Sequence, residues 1–457
     1  MHAEVNTHME RWELSFSEIN QALQSRQFLR AKELLSAMEA PDTADLMREV
    51  SPQERVLLFR LLAKDTAIDV FEMMEKQTRE ELLEHFTDHE VAEIIESMSD
   101  DDRTELLDEL PAKTVKKLLR HLSPEERKLA FTLLNYKEDT AGRVMTPEYI
   151  DLKVGMTAGK ALENIRRQAR TKETIYTSFV VDPQRKLMGV VELEDLVLAG
   201  RKTSIGDLMN DDPVYVYTDT DQEEVARVLS RYDFQAVPVV DMEKRLVGIV
   251  TWDDVLDILE EEATEDIERM AGIQPTDESY LETGFFSLAR KRFAWLFICI
   301  LTEALTSTVL KHNSGAIERV VALSYFIPLL IDTGGNAGTQ SATLMIRGMT
   351  LGEIEEKHML RIFSREFFMS LVLGGALAVL GAGRAFMLGT GGDVAFTVAC
   401  GIVAVVMLGN LSGVCLPIIA RLLRMDPAVM CGPFITTVVD VVGLLLYFAI
   451  AAAVLGL

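Results

Sequence analysis

The stretch Gly432-Pro433-Phe434-Ile435-Thr436-Thr437-Val438-Val439-Asp440-Val441-Val442-Gly443 lies in an apolar run, Pro427 to Leu457, whose one charge is Asp440. A helix advances about 1.5 Å per residue, so about 20 apolar residues cross the hydrocarbon core of a bilayer. This run is long enough. A central aspartate costs about 2.5–3.5 kcal/mol on insertion scales, so it marks either a conduction pathway or a polar pair. The Gly432-Pro433 step loosens the helix, and Thr436 and Thr437 add hydroxyls. Freed carbonyls beside a carboxylate suit a hard, oxygen-seeking cation.

Four further runs precede it: Phe293 to Leu310 with one charge (Glu303), Val320 to Ile346 with one (Asp332), and Phe367 to Gly383 and Val394 to Ala420 with none. Five membrane spans are expected, and none contains a Lys or Arg to neutralise Asp440. The second is interrupted by the polar, glycine-rich Asp332-Thr333-Gly334-Gly335-Asn336-Ala337-Gly338-Thr339-Gln340-Ser341. Such a stretch either lines water or packs helix against helix through its glycines. Arg290, Lys291 and Arg292 precede the first span, Arg347, Lys357, Arg361 and Arg365 follow the second, and Arg421 and Arg424 follow the fourth. The opposite loops hold only Lys311, Arg319 and Arg384, so the positive-inside bias puts the N-terminus in the cytoplasm and the C-terminus outside. The N-terminal Met1-His2-Ala3-Glu4-Val5-Asn6 lacks the basic-then-apolar pattern of a secretory signal.

The chain carries a net charge of −25. From Gly284 onward 12 basic residues face 10 acidic ones, which leaves 34 basic against 61 acidic upstream, a balance of −27. Nucleic acid phosphates would be repelled, whereas cations, or plain solvation, would suit such faces. All four cysteines, Cys299, Cys400, Cys415 and Cys431, lie in the apolar third without a Cys-x-x-Cys pair, and read as packing residues. No catalytic constellation or phosphate loop is present, so no enzyme is expected.

Residues 1–135 show short amphipathic helices opened by capping residues, as at Ser51-Pro52-Gln53-Glu54, Ser99-Asp100-Asp101-Asp102 and Ser123-Pro124-Glu125-Glu126. Leu106, Leu107 and Leu110 return at helical spacing, as do Val115, Leu118 and Leu119 past Pro111. An all-α helical-repeat stack fits this recurrence, as does one irregular bundle. Residues 136–252 then repeat themselves at about sixty residues. Phe179 to Asp182, Leu187 to Val191 and Glu194-Asp195 answer to Val237 to Asp241, Leu246 to Val250 and Asp253-Asp254, each half preceded by a methionine, Met145 or Met209. This α/β segment resembles a tandem CBS pair, regulatory modules that dimerise and often bind nucleotides or metal ions. The CBS ribose pattern falls on Thr251 and Asp254, whereas Glu192 stands where the first repeat would need a hydroxyl before Asp195. ATP binding is therefore left open, and weak or absent at the first repeat.

Residues 253–283 form a connecting segment whose start is unusually acidic: nine of the sixteen residues from Asp253 to Glu268 are acids and none is basic. Asp254, Asp257, Glu261 and Glu265 share a helical face, where like charges repel by roughly 1 kcal/mol per pair in water. A nearby cation would relieve them. The multidomain order is thus an acidic helical stack, CBS pair, acidic connecting helix, and a five-helix membrane domain over 284–457.

In that order the chain resembles the MgtE family of magnesium channels throughout its length. The resemblance rests on Glu138-Asp139-Thr140-Ala141-Gly142, Met145-Thr146-Pro147-Glu148, Thr218 to Val225, Ala263-Thr264-Glu265-Asp266-Ile267, Thr333-Gly334-Gly335-Asn336 and Asp440 to Gly443. It implies a homodimer in the plasma membrane with one pore on its two-fold axis, bordered by Asn336, Gly432, Thr436 and the Mg²⁺-holding Asp440. It implies further Mg²⁺ at Asp221, Glu223, Asp233, Asp254, Asp257, Glu262, Glu265 and Asp266, faced by Asp69, Asp101 and Glu105, with closure when Mg²⁺ is plentiful. Thr339 and Gly432 stand where the family pattern has Asn, and Asp332 where a small residue is usual. Two other readings share the residues: a transporter of another divalent ion such as Co²⁺ or Mn²⁺, and a membrane-anchored nucleotide sensor without transport.

Overall fold

A computed structural model describes residues 16–457 except 111, 277–279, 281–282, 351, 355, 424 and 431. The N-terminal hexapeptide, Pro111, Arg424 and Cys431 lie outside the described residues. The chain divides into two compact units, one ending at Leu259 and the other beginning at Glu260.

The first unit opens with helices starting at Phe28, Ala40, Pro52, Lys64, Lys76, Asp88, Asp100, Ala112 and Pro124, one every 12 residues. Several pack chiefly on the helix two places along, Ala40–Glu49 on Lys64–Glu72 and Asp100–Glu109 on Pro124–Leu134 among them, which is the contact pattern of a repeat stack. One apolar core runs through it from Ile19 to Ala130. Ser51 with Glu54, Thr87 with Glu90 and Ser123 with Glu126 form reciprocal capping boxes, which satisfy amide donors that a helix start leaves open.

Arginines recur at 24-residue spacing, Arg55, Arg79, Arg103 and Arg127. Arg55 donates to Met47 O at 2.6 Å, Arg103 to Ile95 O at 3.3 Å and Arg127 to Leu122 O at 3.0 Å, so these cations sit where helix ends leave carbonyls unpaired.

The two repeats that follow have the same sheet. β1 (Asp151–Leu152) pairs in parallel with β2 (Thr177–Val181), and β2 antiparallel with β3 (Leu187–Glu192). β4 (Val216–Tyr217), β5 (Ala236–Val240) and β6 (Leu246–Thr251) repeat this, with a register shift at the matching place, Val180/Val181 and Val239/Val240. The methionine lead-ins are exchanged. Thr146 bridges Ile249 of the second repeat and Asn210 bridges Val190 of the first. Glycine is needed at both crossings: a Cβ on Gly248 would meet Met145 Sδ at 2.6 Å, and one on Gly189 would meet Asn210 O at 2.5 Å.

The acidic segment forms one helix, Trp252–Met270. In the second unit, Phe285–His312, Met359–Met387, Gly392–Leu422 and Gly432–Leu455, the candidate pore helix, are long and apolar enough to cross a membrane. The second expected span folds as a short 3-10 turn and then an unbroken 24-residue helix, Ile327–Thr350, whose polar residues set it apart from the other four. The glycine-rich stretch does not break this helix; it packs it. Gly409 of the fourth helix lies so close that a Cβ would stand 2.2 Å from Gly334 O, and one on Gly413 would stand 2.3 Å from Gly338 O. The fourth helix is central, touching the second, third and pore helices. Tyr447, fully buried, donates to Leu323 O at 3.1 Å.

Candidate cation pathway and acidic sensor

The pore helix starts at Gly432, whose φ is +28°. A Cβ there would approach Met270 O to 2.9 Å, so glycine suits both the backbone and the contact. Thr436 and Thr437 both donate back to Pro433 O, at 3.0 and 2.8 Å. Five residues, Val439–Gly443, then form a π-turn, a local widening often found where a helix carries function. Asp440 stands on this turn, and its Oδ1 is buried without a hydrogen-bond partner. Gly335 lies against Thr436, a Cβ there falling 3.3 Å from Thr436 Cγ2, so the second helix borders the pore helix at that level. Asn336 and Thr436 are exposed on the single chain.

In the first unit, acids from four elements share one space. Glu72 is pushed up to about 8, first by burial and then by Asp102, Asp69 and Glu173, against a backbone hydrogen bond at Ser99. Glu173 rises to about 7 through burial, then Asp254, Asp253, Asp102 and Glu148. Asp254 rises to about 6, with burial opposed by hydrogen bonds from Thr251. Asp101 is raised by burial and by Asp254, Asp102 and Glu173, and its Oδ1 has no partner. Asp102 acts on all four of these groups, and every charge named here as acting on them is negative. Among the described residues no three acids, histidines or cysteines converge into a set that could hold a bare ion.

The other expected ligands divide among different places. Asp221 caps helix Gln222–Tyr232, accepting from Glu223 N at 3.0 Å. Glu223 pairs with Arg227 at 3.4 Å, and Asp233 ends the same helix at φ +53°. Glu105 pairs with Arg79 at 3.5 Å, which places it in the arginine ladder rather than among the clustered acids. Asp257 lies on the Trp252–Met270 helix, in the first unit. In the second unit, Glu265 pairs with Arg269, which also bonds Asp426. Asp266 is pushed up to about 6 by burial, Asp426 and Glu262. Thr251 donates to Asp254 from both its amide, at 3.1 Å, and its hydroxyl, at 2.5 Å, so this pair caps a helix start.

A cleft of about 370 Å³ opens between the repeats, lined by Thr177, Glu192, Asp195, Asn210, Phe234 and Pro238 among others. Glu192 accepts from Thr177 Oγ1 at 2.9 Å, and burial raises its carboxyl. Glu72, Asp102, Glu148, Glu173, Asp253 and Asp426 are not among the ligands expected from sequence. Asp426 carried a signal, as the one acid between the fourth and pore helices, whereas Glu173 sits in a loop whose position only the fold reveals.

Three family models match in this order: the MgtE intracellular N domain over residues 21–139, the CBS domain over 141–202 and 205–261, and a divalent cation transporter domain over 327–450. The magnesium transporter MgtE of Thermus thermophilus is 43% identical over 335 residues, 73% of this chain and 74% of that protein. The Bacillus subtilis magnesium transporter MgtE is 35% identical over the same shares. A crystal structure of the cytosolic domain of the Mg²⁺ channel MgtE in complex with ATP superposes with a TM-score of 0.52 at 39% identity, covering 53% of this chain and 99% of that one. The soluble part of a magnesium transporter gives 0.52 at 31% identity, covering 55% and 99%. With this identity and span, and with the pore helix and CBS pair in matching order, the chain belongs to the MgtE family of magnesium transporters, multi-pass membrane proteins rather than enzymes.

Proposed function

We propose that this chain conducts Mg²⁺ across the plasma membrane as a homodimeric channel, with the N-terminus in the cytoplasm and the C-terminus outside, and that cytosolic Mg²⁺ closes it. The observation that carries this reading is Asp440, a carboxylate whose buried Oδ1 has no partner, on a π-turn in an otherwise uncharged membrane helix. Mg²⁺ dehydrates reluctantly, so a two-fold pair of Asp440 carboxylates holds the hydrated ion through its waters, with Asn336, Thr436 and Gly432 bordering the path. Only hard oxygen donors stand beside Asp440 on the pore helix, which favours Mg²⁺ over soft metals. Co²⁺ and Mn²⁺ are the competitors to test.

The sensor consists of acids at three places: Asp69, Asp101 and Asp254 with Glu72 and Glu173; Asp257, Glu262, Glu265 and Asp266 along the connecting segment, where Glu265 also pairs with Arg269; and Asp221, Glu223 and Asp233 on the second repeat, where Glu223 also pairs with Arg227. In the first of these groups, burial and like charge raise Glu72, Glu173, Asp254 and Asp101, which a hydrated Mg²⁺ held through its waters would relieve. Glu105, held by Arg79, contributes through that pair. A nucleotide in the cleft between the repeats would meet the Glu192 carboxylate, so ATP binds weakly there. The decisive experiment is Mg²⁺ uptake into liposomes by the parent and Asp440→Ala: the variant is expected to lose uptake, and uptake at the parent rate with equal protein inserted would sink the assignment.

A further inference from the structure

Glu303 is the one charge between Phe293 and Leu310 of the first membrane helix. At about 1.5 Å per residue it lies about 15 Å from the first of these and about 10 Å from the second, in the middle of the hydrocarbon core. It is exposed on the single chain. An acid facing lipid at that depth would cost about 2.5–3.5 kcal/mol, so the side chain belongs where water reaches.

Beside Glu303, the first helix adjoins the pore helix. The first helix packs on the pore helix and its π-turn, and Thr437 Oγ1 donates to Thr302 Oγ1 at 3.4 Å. Thr437 is one turn before Asp440, and Thr302 directly precedes Glu303. An independent observation concerns Thr306, one turn beyond Thr302. It is the one buried residue of helix Phe285–His312, 3% exposed, and its Oγ1 has no hydrogen-bond partner. Asp440 Oδ1 is likewise enclosed and unpartnered. Buried polar atoms left single cost about 1–3 kcal/mol each, and water or a hydrated cation between the two helices satisfies them.

We propose that Glu303 is a second carboxylate of the cation pathway, which sets how strongly the pore draws a divalent ion in preference to a monovalent one. The proposal rests on the reading of Asp440 as the pore residue. A divalent ion gains twice what a monovalent ion gains from each added negative charge, so a second carboxylate raises both local Mg²⁺ concentration and divalent preference.

The test uses the full chain in liposomes. Glu303→Gln, nearly the same in shape, is expected to raise half-saturating Mg²⁺ about tenfold and to lower the Mg²⁺-to-Na⁺ permeability ratio similarly, while Glu303→Asp stays near the parent. In a chain with all four cysteines replaced by alanine, Glu303→Cys should react with a charged, water-soluble thiol reagent, and Mg²⁺ should slow that reaction. A purely structural glutamate would alter only the amount of inserted protein. An unchanged half-saturation and permeability ratio in Glu303→Gln overturns the proposal, as does a thiol at position 303 reached only by a membrane-permeant reagent. Should Glu303→Gln fail to insert, the labelling decides. Asp440→Asn separates the two readings: transport at the parent rate rejects the pore assignment, whereas its loss with an unaffected Glu303→Gln rejects only the role given to Glu303.

Discussion

Arg103 shows how much one side chain carries in a small-core repeat. It is 2% exposed and donates to Ile95 O at 3.3 Å while pairing with Asp100, and its burial lowers its own basicity. Truncating one partner of a buried ion pair leaves the other charge uncompensated, which costs about 3–5 kcal/mol. Arg103→Ala should therefore lower the melting temperature by several degrees, and more than Arg30→Ala, whose guanidinium pairs with Glu18 at the surface. Circular dichroism melts of the full chain check this; equal losses in both variants would remove the structural role of the ladder. The identities of these arginines are plain in the sequence, but their burial is not. A 24-residue recurrence of a charged residue looks like surface decoration until the stack places Arg55, Arg103 and Arg127 beside helix ends.

At the scale of elements, the Trp252–Met270 helix is the piece whose acidic composition motivates the proposed gating. Under the proposed gating, cations that bind the closed arrangement better by about 1.4 kcal/mol would shift the gate tenfold each. Neutralising Asp257, Glu262 and Glu265 to Asn or Gln should raise the internal Mg²⁺ needed for closure at least tenfold and leave single-channel conductance unchanged. Patch-clamp open probability against internal Mg²⁺ reads this, and closure at the parent concentration would make the helix a solvated face. The glycine stretch of Ile327–Thr350 taught the opposite lesson. Its residues allowed either a watery break or close packing, and only the neighbouring Gly409 and Gly413 decided for packing, because backbone carbonyls of one helix occupy the space a Cβ would need on the other.

For the whole molecule, the clustered acids predict a pH dependence. Unfolded, Glu72 and Glu173 titrate near 4.5; folded, they titrate near 8 and 7. Between those values the native state binds more protons than the unfolded one, so stability present at acid pH is lost as pH rises. Without Mg²⁺, the melting temperature of the full chain should fall from pH 5 to pH 8. Adding Mg²⁺ should restore it, by about 2.7 kcal/mol at a hundred times the dissociation constant, and most at pH 8 where the carboxylates are charged. Glu72→Gln should flatten the profile. A melting temperature that rises over the same interval would show that these acids do not face one another.

What the sequence determined by itself follows from properties carried by short segments. Hydropathy over thirty residues separates membrane from cytosol, capping residues such as Ser51 and Ser123 open helices, and the paired strand patterns around Gly189 and Gly248 disclose a duplicated module. Asp440 is conspicuous for the same reason: a charge in an apolar run is visible without a fold. Tertiary structure alone decided which parts of the repeats exchange, since Met145 lies on the second sheet and Met209 on the first. It alone joined Glu72 to Glu173 and Asp254, residues far apart in sequence whose electrostatic coupling exists only at close range in a medium poorer than water at screening charge. It also gave Glu105 to Arg79 and brought Thr302, beside Glu303, to Thr437, one turn before Asp440, because helix packing, not local pattern, sets which side chains meet.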